Sequence, residues 1–168
     1  MTFSPDGSYI ASVFNDGTLR IWNISTGQSV TLSKEFSRWL QFVVFSPDGS
    51  CFASVFDDDT VWICNTMTGE SEVVLGVHSD SVTSIVFSPN GRHIGSASKD
   101  KTVQIWNTQT GKSKAVLKGG SGDVHSIVFS PDGSRITFEC FDTIPFLVFR
   151  FRQSVAPFTY TPLPRLDI

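Results

Sequence analysis

One pentapeptide decides most of what this chain can be. Phe3-Ser4-Pro5-Asp6-Gly7 returns as Phe45-Ser46-Pro47-Asp48-Gly49, as Phe87-Ser88-Pro89-Asn90-Gly91 and as Phe129-Ser130-Pro131-Asp132-Gly133, and each step is 42 residues. A second block keeps the same step: Asp16 to Asn23, Asp58 to Asn65 and Asp100 to Asn107. A third, the Thr-Gly pair, stands at Thr26-Gly27, Thr68-Gly69 and Thr110-Gly111. A fixed period of a few tens of residues marks a repeat architecture, in which each unit stacks on the next because none can bury its apolar face alone.

The third period shows what one unit contains. Val82 to Phe87 is a nearly continuous apolar run, expected as a strand covered on both faces, and Ser-Pro-Asn-Gly after it supplies a Pro-led tight turn. Ile94 to Ser98 is expected as a second strand and Asp100-Lys101 as a turn. Val103 to Asn107 follows as a third strand and Ser113 to Leu117 as a fourth. Four strands per period with no helical periodicity is the pattern of one β-propeller blade. The fold class expected is therefore all-β, with antiparallel four-stranded blades forming an incomplete ring of about three to four. The repeats fill residues 1–137, and 138–168 is a degenerate tail rich in aromatic residues and proline.

With these blocks in place, the chain resembles the WD40 family, with Trp-Asn where that family more often has Trp-Asp. The close similarity between repeats, with their Ser-Pro-Asp-Gly and Thr-Gly turns, also resembles the C-terminal WD40 repeats of fungal NACHT-WD proteins. The family resemblance implies a His, Ser, Asp and Trp network in each blade, and the third period carries all four as His78, Ser96, Asp100 and Trp106. In such a network the carboxylate orients the imidazole, the hydroxyl passes a hydrogen bond to the indole, and each buried polar atom is satisfied.

Other periods hold parts of it. The first has Ser12, Asp16 and Trp22, and the second has Phe36, Ser54, Asp58 and Cys64. Cys64 in place of an indole is expected to leave a void costing about 3 to 5 kcal/mol if nothing compensates. Trp62 is expected on the opposite face of its strand, unable to fill that void. In the fourth period the equivalent positions fall on Gly120 and Val148, while Pro145 interrupts the expected third strand.

Composition excludes several functions. A net charge of −3 gives no basic excess for a phosphate backbone, so no nucleic acid partner is expected. Three cysteines without a close pair suggest neither a disulfide framework nor a metal clip, which fits a cytoplasmic setting. The start of the chain has no leader pattern and no window is apolar enough to span a membrane, so no membrane association is expected. Gly111-Lys112-Ser113 lacks the earlier glycine of a phosphate loop, because Trp106 stands there. Asp57-Asp58-Asp59 reads as a turn, and His78, His93 and His125 lack metal-ligand spacing. No catalytic constellation, cofactor or metal is expected, and the chain is read as no enzyme.

What remains is a surface for binding other proteins. By resemblance, the exposed top-face positions are Asn15 in the first period; Trp39, Gln41 and Asp57 in the second; Ser81, Thr83 and Lys99 in the third; and Asp123, His125 and Phe141 in the fourth. Trp39, an indole beside a polar and an acidic residue, is the preferred anchor among them. The expected function is a non-catalytic protein-interaction scaffold within a larger intracellular assembly or signalling protein. Two alternatives stand beside it: a non-autonomous fragment of a longer propeller protein, and a catalytic or small-molecule-binding propeller, for which convergent polar groups are lacking. Self-association that closes the ring is a further expectation, since an uncovered blade invites a partner.

Overall fold

The computed structural model describes residues 1–14, 18–32, 40–76, 78–118, 122–140 and 147–150; for Leu32 and residues 147–150 only the strand is described. All regular structure among them is β. The first sheet orders β1 (Thr2–Phe3), β2 (Tyr9–Val13), β3 (Leu19–Asn23) and β4 (Ser29–Leu32). The second holds β5 (Leu40–Phe45), β6 (Cys51–Phe56), β7 (Val61–Asn65) and β8 (Ser71–Leu75). The third holds β9 (Val82–Phe87), β10 (His93–Ser98), β11 (Thr102–Asn107) and β12 (Ser113–Lys118). The fourth holds β13 (Val124–Phe129), β14 (Arg135–Cys140) and β15 (Leu147–Arg150). Every pairing is antiparallel between chain neighbours, which is the meander of a propeller blade.

The repeated turns explain the repeated residues. At the first turn of the second blade, the Ser46 hydroxyl donates to Asp48 Oδ1 at 2.6 Å and accepts from the Cys51 amide at 3.1 Å, while Asp48 Oδ1 accepts from the Ser50 amide at 3.1 Å. Gly49 closes the turn at φ 70, a left-handed conformation that costs a Cβ-free residue nothing. Asn90 performs the aspartate's part in the third blade, accepting from the Ser88 hydroxyl at 2.8 Å and the Arg92 amide at 3.1 Å. The asparagine of Trp-Asn has a related duty. Asn107 Oδ1 accepts from the amides of Gln109 and Thr110 at 3.1 and 2.9 Å, folding the chain out of β11, and Asn23 and Asn65 do the same after β3 and β7.

Blades pack on one another in chain order, β1 against β5, β5 against β9 and β9 against β13. Three apolar clusters fill the gaps. Ala11, Leu19 and Ile21 of the first blade meet Phe45, Phe52 and Cys64 of the second. Val55, Val61 and Ile63 of the second meet Ile85, Phe87 and Trp106 of the third. Val103, Ile105 and Leu117 of the third meet Ile127, Ile136 and Phe138 of the fourth. Gly95 lets the last contact close up, since a Cβ there would stand 2.6 Å from Ile127 Cδ1 and that side chain would have to shift.

Two expectations are corrected. Trp62 shares the face of Cys64, as residues two apart in a strand must, and both belong to the cluster between the first two blades. In the fourth blade the third strand does form beyond Pro145, but Ile136 pairs with Phe149, so the position held by Trp106 opposite Ile94 falls on Phe149 instead of Val148. One additional residue in the connection between β14 and β15 shifts the register by one.

Candidate functional site

The third blade brings His78, Ser96, Asp100 and Trp106 together. His78 Nδ1 lies 2.9 Å from Asp100 Oδ2, His78 Nε2 lies 2.7 Å from Ser96 Oγ, and the Trp106 indole N–H donates to Ser96 Oγ at 3.0 Å. His78, Ser96 and Trp106 are buried. Strand β10 supplies Ser96 and β11 supplies Trp106, whose neighbouring ladder holds Ser96 opposite Gln104. Three further groups, none singled out by the sequence pattern, join the cluster. Thr102 donates its hydroxyl to Asp100 Oδ1 at 2.6 Å, the Ser79 amide donates to Asp100 Oδ2 at 3.1 Å, and Gln104 Nε2 stands 3.3 Å from His78 Nδ1. Burial pushes the Asp100 carboxyl up, but the Thr102 hydroxyl, His78 and the Ser79 amide together outweigh it and hold it below the usual carboxylate range.

The second blade solves the same problem differently. Asp58 Oδ1 accepts from the Thr60 hydroxyl at 2.6 Å, and Thr60 Oγ1 accepts from the Trp62 indole N–H at 3.1 Å. The carboxylate is thus linked to an indole two residues before the usual position. Trp62 also packs edge-on against Phe56 with centroids 6.2 Å apart, and Phe52, paired with Cys64, packs edge-on against Phe45 at 6.1 Å. These aromatic rings occupy the region around the short Cys64 side chain. Burial pushes the Cys64 thiol up to about 12. Ser54 is buried.

In the first blade Ser12 and Trp22 are half-buried, and Asp16 lies outside the described residues, as do Asn15, Phe36, Trp39, Gly120 and Phe141. The fourth blade has Phe138 at the Ser96 position, buried among apolar neighbours.

The remaining top-face positions divide into two kinds. Gln41, Asp57 and Lys99 are exposed. Ser81, Thr83, Asp123 and His125 are half-buried, and the Thr83 hydroxyl donates to the Val124 carbonyl of the next blade. Of the three adjacent aspartates, Asp58 is turned to Thr60, and Asp59 Oδ1 accepts from the Val82 amide of the next blade at 2.9 Å. Gln41 and Thr83 both line a groove of about 300 Å³ that crosses the innermost strands β1, β5 and β9, with Phe42, Val43, Val44 and Ile85 as its apolar lining. A larger and more polar crevice of about 990 Å³ opens between the second and third blades near Asp48, Glu72, Arg92, His93 and Lys114. The His93 imidazole is held below its ordinary range by burial, then by Lys114 and Arg92. No cluster of His, Cys, Asp and Glu with the geometry of a metal site occurs among the described residues. No helix among them is long and apolar enough to cross a membrane.

Comparison with known proteins agrees with this geometry. The family model for the WD domain, G-beta repeat, matches residues 1–23, 69–107 and 111–140. No match to a curated protein was found. WD40 repeats are protein-interaction modules, and with more than half its length matched, with four-stranded antiparallel blades in sequence order and with the hydrogen-bonded His78 to Trp106 network in one of them, the chain belongs to the WD40 repeat family.

Proposed function

We propose that this chain is a non-catalytic scaffold whose top face, centred on the groove across β1, β5 and β9, docks a segment of another protein inside a larger assembly. The observation that carries this reading is the make-up of the groove. Gln41 and Thr83, two positions expected on the docking face, sit at a concave surface whose lining is otherwise largely apolar. Apolar lining with a few fixed polar groups suits a bound side chain, since the apolar part supplies affinity and the polar part fixes orientation. Thr83 is held in place by its bond to Val124 and contributes a fixed rim, whereas the exposed Gln41 is available to a ligand. Asp57 and Lys99 add exposed charges of opposite sign at the same end of the blades, which would set the orientation of a partner more than its affinity. Trp39 is the preferred aromatic anchor in this reading.

The test is affinity capture with the intact chain and three variants. Gln41→Arg and Phe42→Asp are expected to lose the captured proteins, while Lys114→Glu, in the crevice between the second and third blades, keeps them. Unchanged capture by Gln41→Arg and Phe42→Asp would remove the groove from the account.

A further inference from the structure

The turn after the innermost strand differs between blades at one chemically decisive place. Asp6, Asp48 and Asp132 precede the turn glycine in three blades, whereas Asn90 precedes Gly91 in the third. Of the five asparagines in the chain, Asn90 alone is followed by glycine; the others are followed by Asp16, Ile24, Thr66 and Thr108. A residue without a Cβ leaves its backbone nitrogen open to the preceding side chain, and a branched one shields it. Asn90 is also exposed to water.

The turn acts on both groups that would react. Asn90 Oδ1 accepts from the Ser88 hydroxyl at 2.8 Å and from the Arg92 amide at 3.1 Å, and both bonds draw electron density away from Cγ. The Gly91 amide, with φ at 69, donates to the Ser88 carbonyl at 2.9 Å, so its nitrogen is engaged while the turn is closed. The Ser88 hydroxyl also accepts from the His93 amide at 3.0 Å, which ties the turn to the start of β10. The electrophile is thus polarised while the nucleophile is held back until the turn opens.

We propose that Asn90 is a site of spontaneous deamidation gated by this turn, converting it to the aspartate that the other three turns hold. When the turn opens, the Gly91 nitrogen gives up its proton and attacks Asn90 Cγ. The Cγ–Nδ2 bond breaks, ammonia leaves with a proton, and a cyclic imide forms. Water then opens the imide. Attack at Cγ leaves aspartate in an unchanged main chain, and attack at the other carbonyl leaves isoaspartate, whose main chain runs through the side chain and is longer. The turn accepts aspartate, since Asp48 Oδ1 takes the same two bonds from the Ser46 hydroxyl and the Ser50 amide. Aspartate is also an end point: the turn carboxyls of Asp6 and Asp132 are held at about 2 by their serine partners, and an ionised carboxylate resists attack by the next amide. Isoaspartate alters the spacing from the Ser88 carbonyl to the Gly91 amide and breaks the turn. The new charge falls in the crevice between the second and third blades, beside Arg92, His93 and Lys114.

The test is peptide mapping by mass spectrometry of the full chain held at mildly alkaline pH, once in plain buffer and once in urea, with far-UV circular dichroism as the control for folding. Conversion is expected at Asn90 ahead of every other asparagine, and about tenfold or more slower in buffer than in urea, where no turn restrains Gly91. Ser88→Ala removes one bond to Asn90 Oδ1 and one to the His93 amide, so it is expected to speed conversion several-fold in buffer and to leave the rate in urea unchanged. Asn90→Asp is expected to fold and melt near the wild type. Equal rates in buffer and urea would overturn the gate, absence of conversion in urea would overturn the site, and an Asn90→Asp chain that fails to fold would overturn the product. If Ser88→Ala does not fold, the comparison of buffer with urea decides alone.

Discussion

Ser96 is one hydroxyl between an imidazole and an indole, and its surroundings show how much rests on single side chains in this chain. Trp106→Ala removes a buried ring from the cluster between the second and third blades and takes one of two hydrogen-bond partners from Ser96, leaving His78; a loss of about 3 to 5 kcal/mol is expected in urea unfolding. Cys64→Ala at the equivalent position removes one sulfur from a pocket already lined by Phe45 and Phe52, with an expected loss of about 1 kcal/mol. Equal losses would contradict the roles assigned to the two residues. Gly76 touches the same indole, because a Cβ there would stand 2.9 Å from Trp106 Cη2. Gly76→Ala is therefore expected to lower the thermal midpoint by several degrees, since the buried ring has little room to retreat. The four network residues were legible in the sequence because the resemblance to the WD40 family implies their residue types and the 42-residue step gives their places. Thr60, Thr102 and Gln104 were not, since their contacts depend on which strand face meets which turn. Trp62 is the clearest lesson of this kind: its role follows from strand pleat and from the Thr60 hydroxyl, neither of which a comparison of repeat positions supplies.

At the scale of the element, the turns carry charges that make folding depend on acid. The Asp6 and Asp132 carboxyls are lowered to about 2 chiefly by the Ser4 and Ser130 hydroxyls, and Asp48 is lowered in the same way by Ser46. Asp100 is also depressed in the folded chain. A carboxyl whose pKa is depressed by folding contributes fully above its unfolded value, here 3.8, and loses that contribution as pH falls through the folded value. The unfolding midpoint is therefore expected to be insensitive to these groups near neutrality and to fall modestly between about pH 4 and pH 2, because solvent screens the exposed turn carboxyls. Replacing Asp6, Asp48 and Asp132 together by Asn, which Asn90 shows the turn accepts, should flatten that fall; an unchanged acid profile would contradict the turn assignment. Strand boundaries were readable to within a residue in the third blade, where Ser88-Pro89-Asn90-Gly91, Lys99-Asp100-Lys101 and Thr110-Gly111 mark the turns between strands. The fourth blade was not so readable, because the connection before β15 is longer by one residue and the register with β14 moves with it.

For the whole molecule, the blade count and order follow from the 42-residue step, while the groove across β1, β5 and β9 does not. It exists only because innermost strands from three blades converge, and its apolar members look like ordinary core residues in the sequence. The central claim is that these blades form one interlocked array anchored by the third, which is flanked on both sides and holds the complete network. Hydrogen exchange followed strand by strand tests it most directly. The account predicts the slowest exchange in β9, β10 and β11, with faster exchange in β1 to β4 and in β14 and β15. Slowest exchange in the first blade, or one uniform rate through all four, would contradict it.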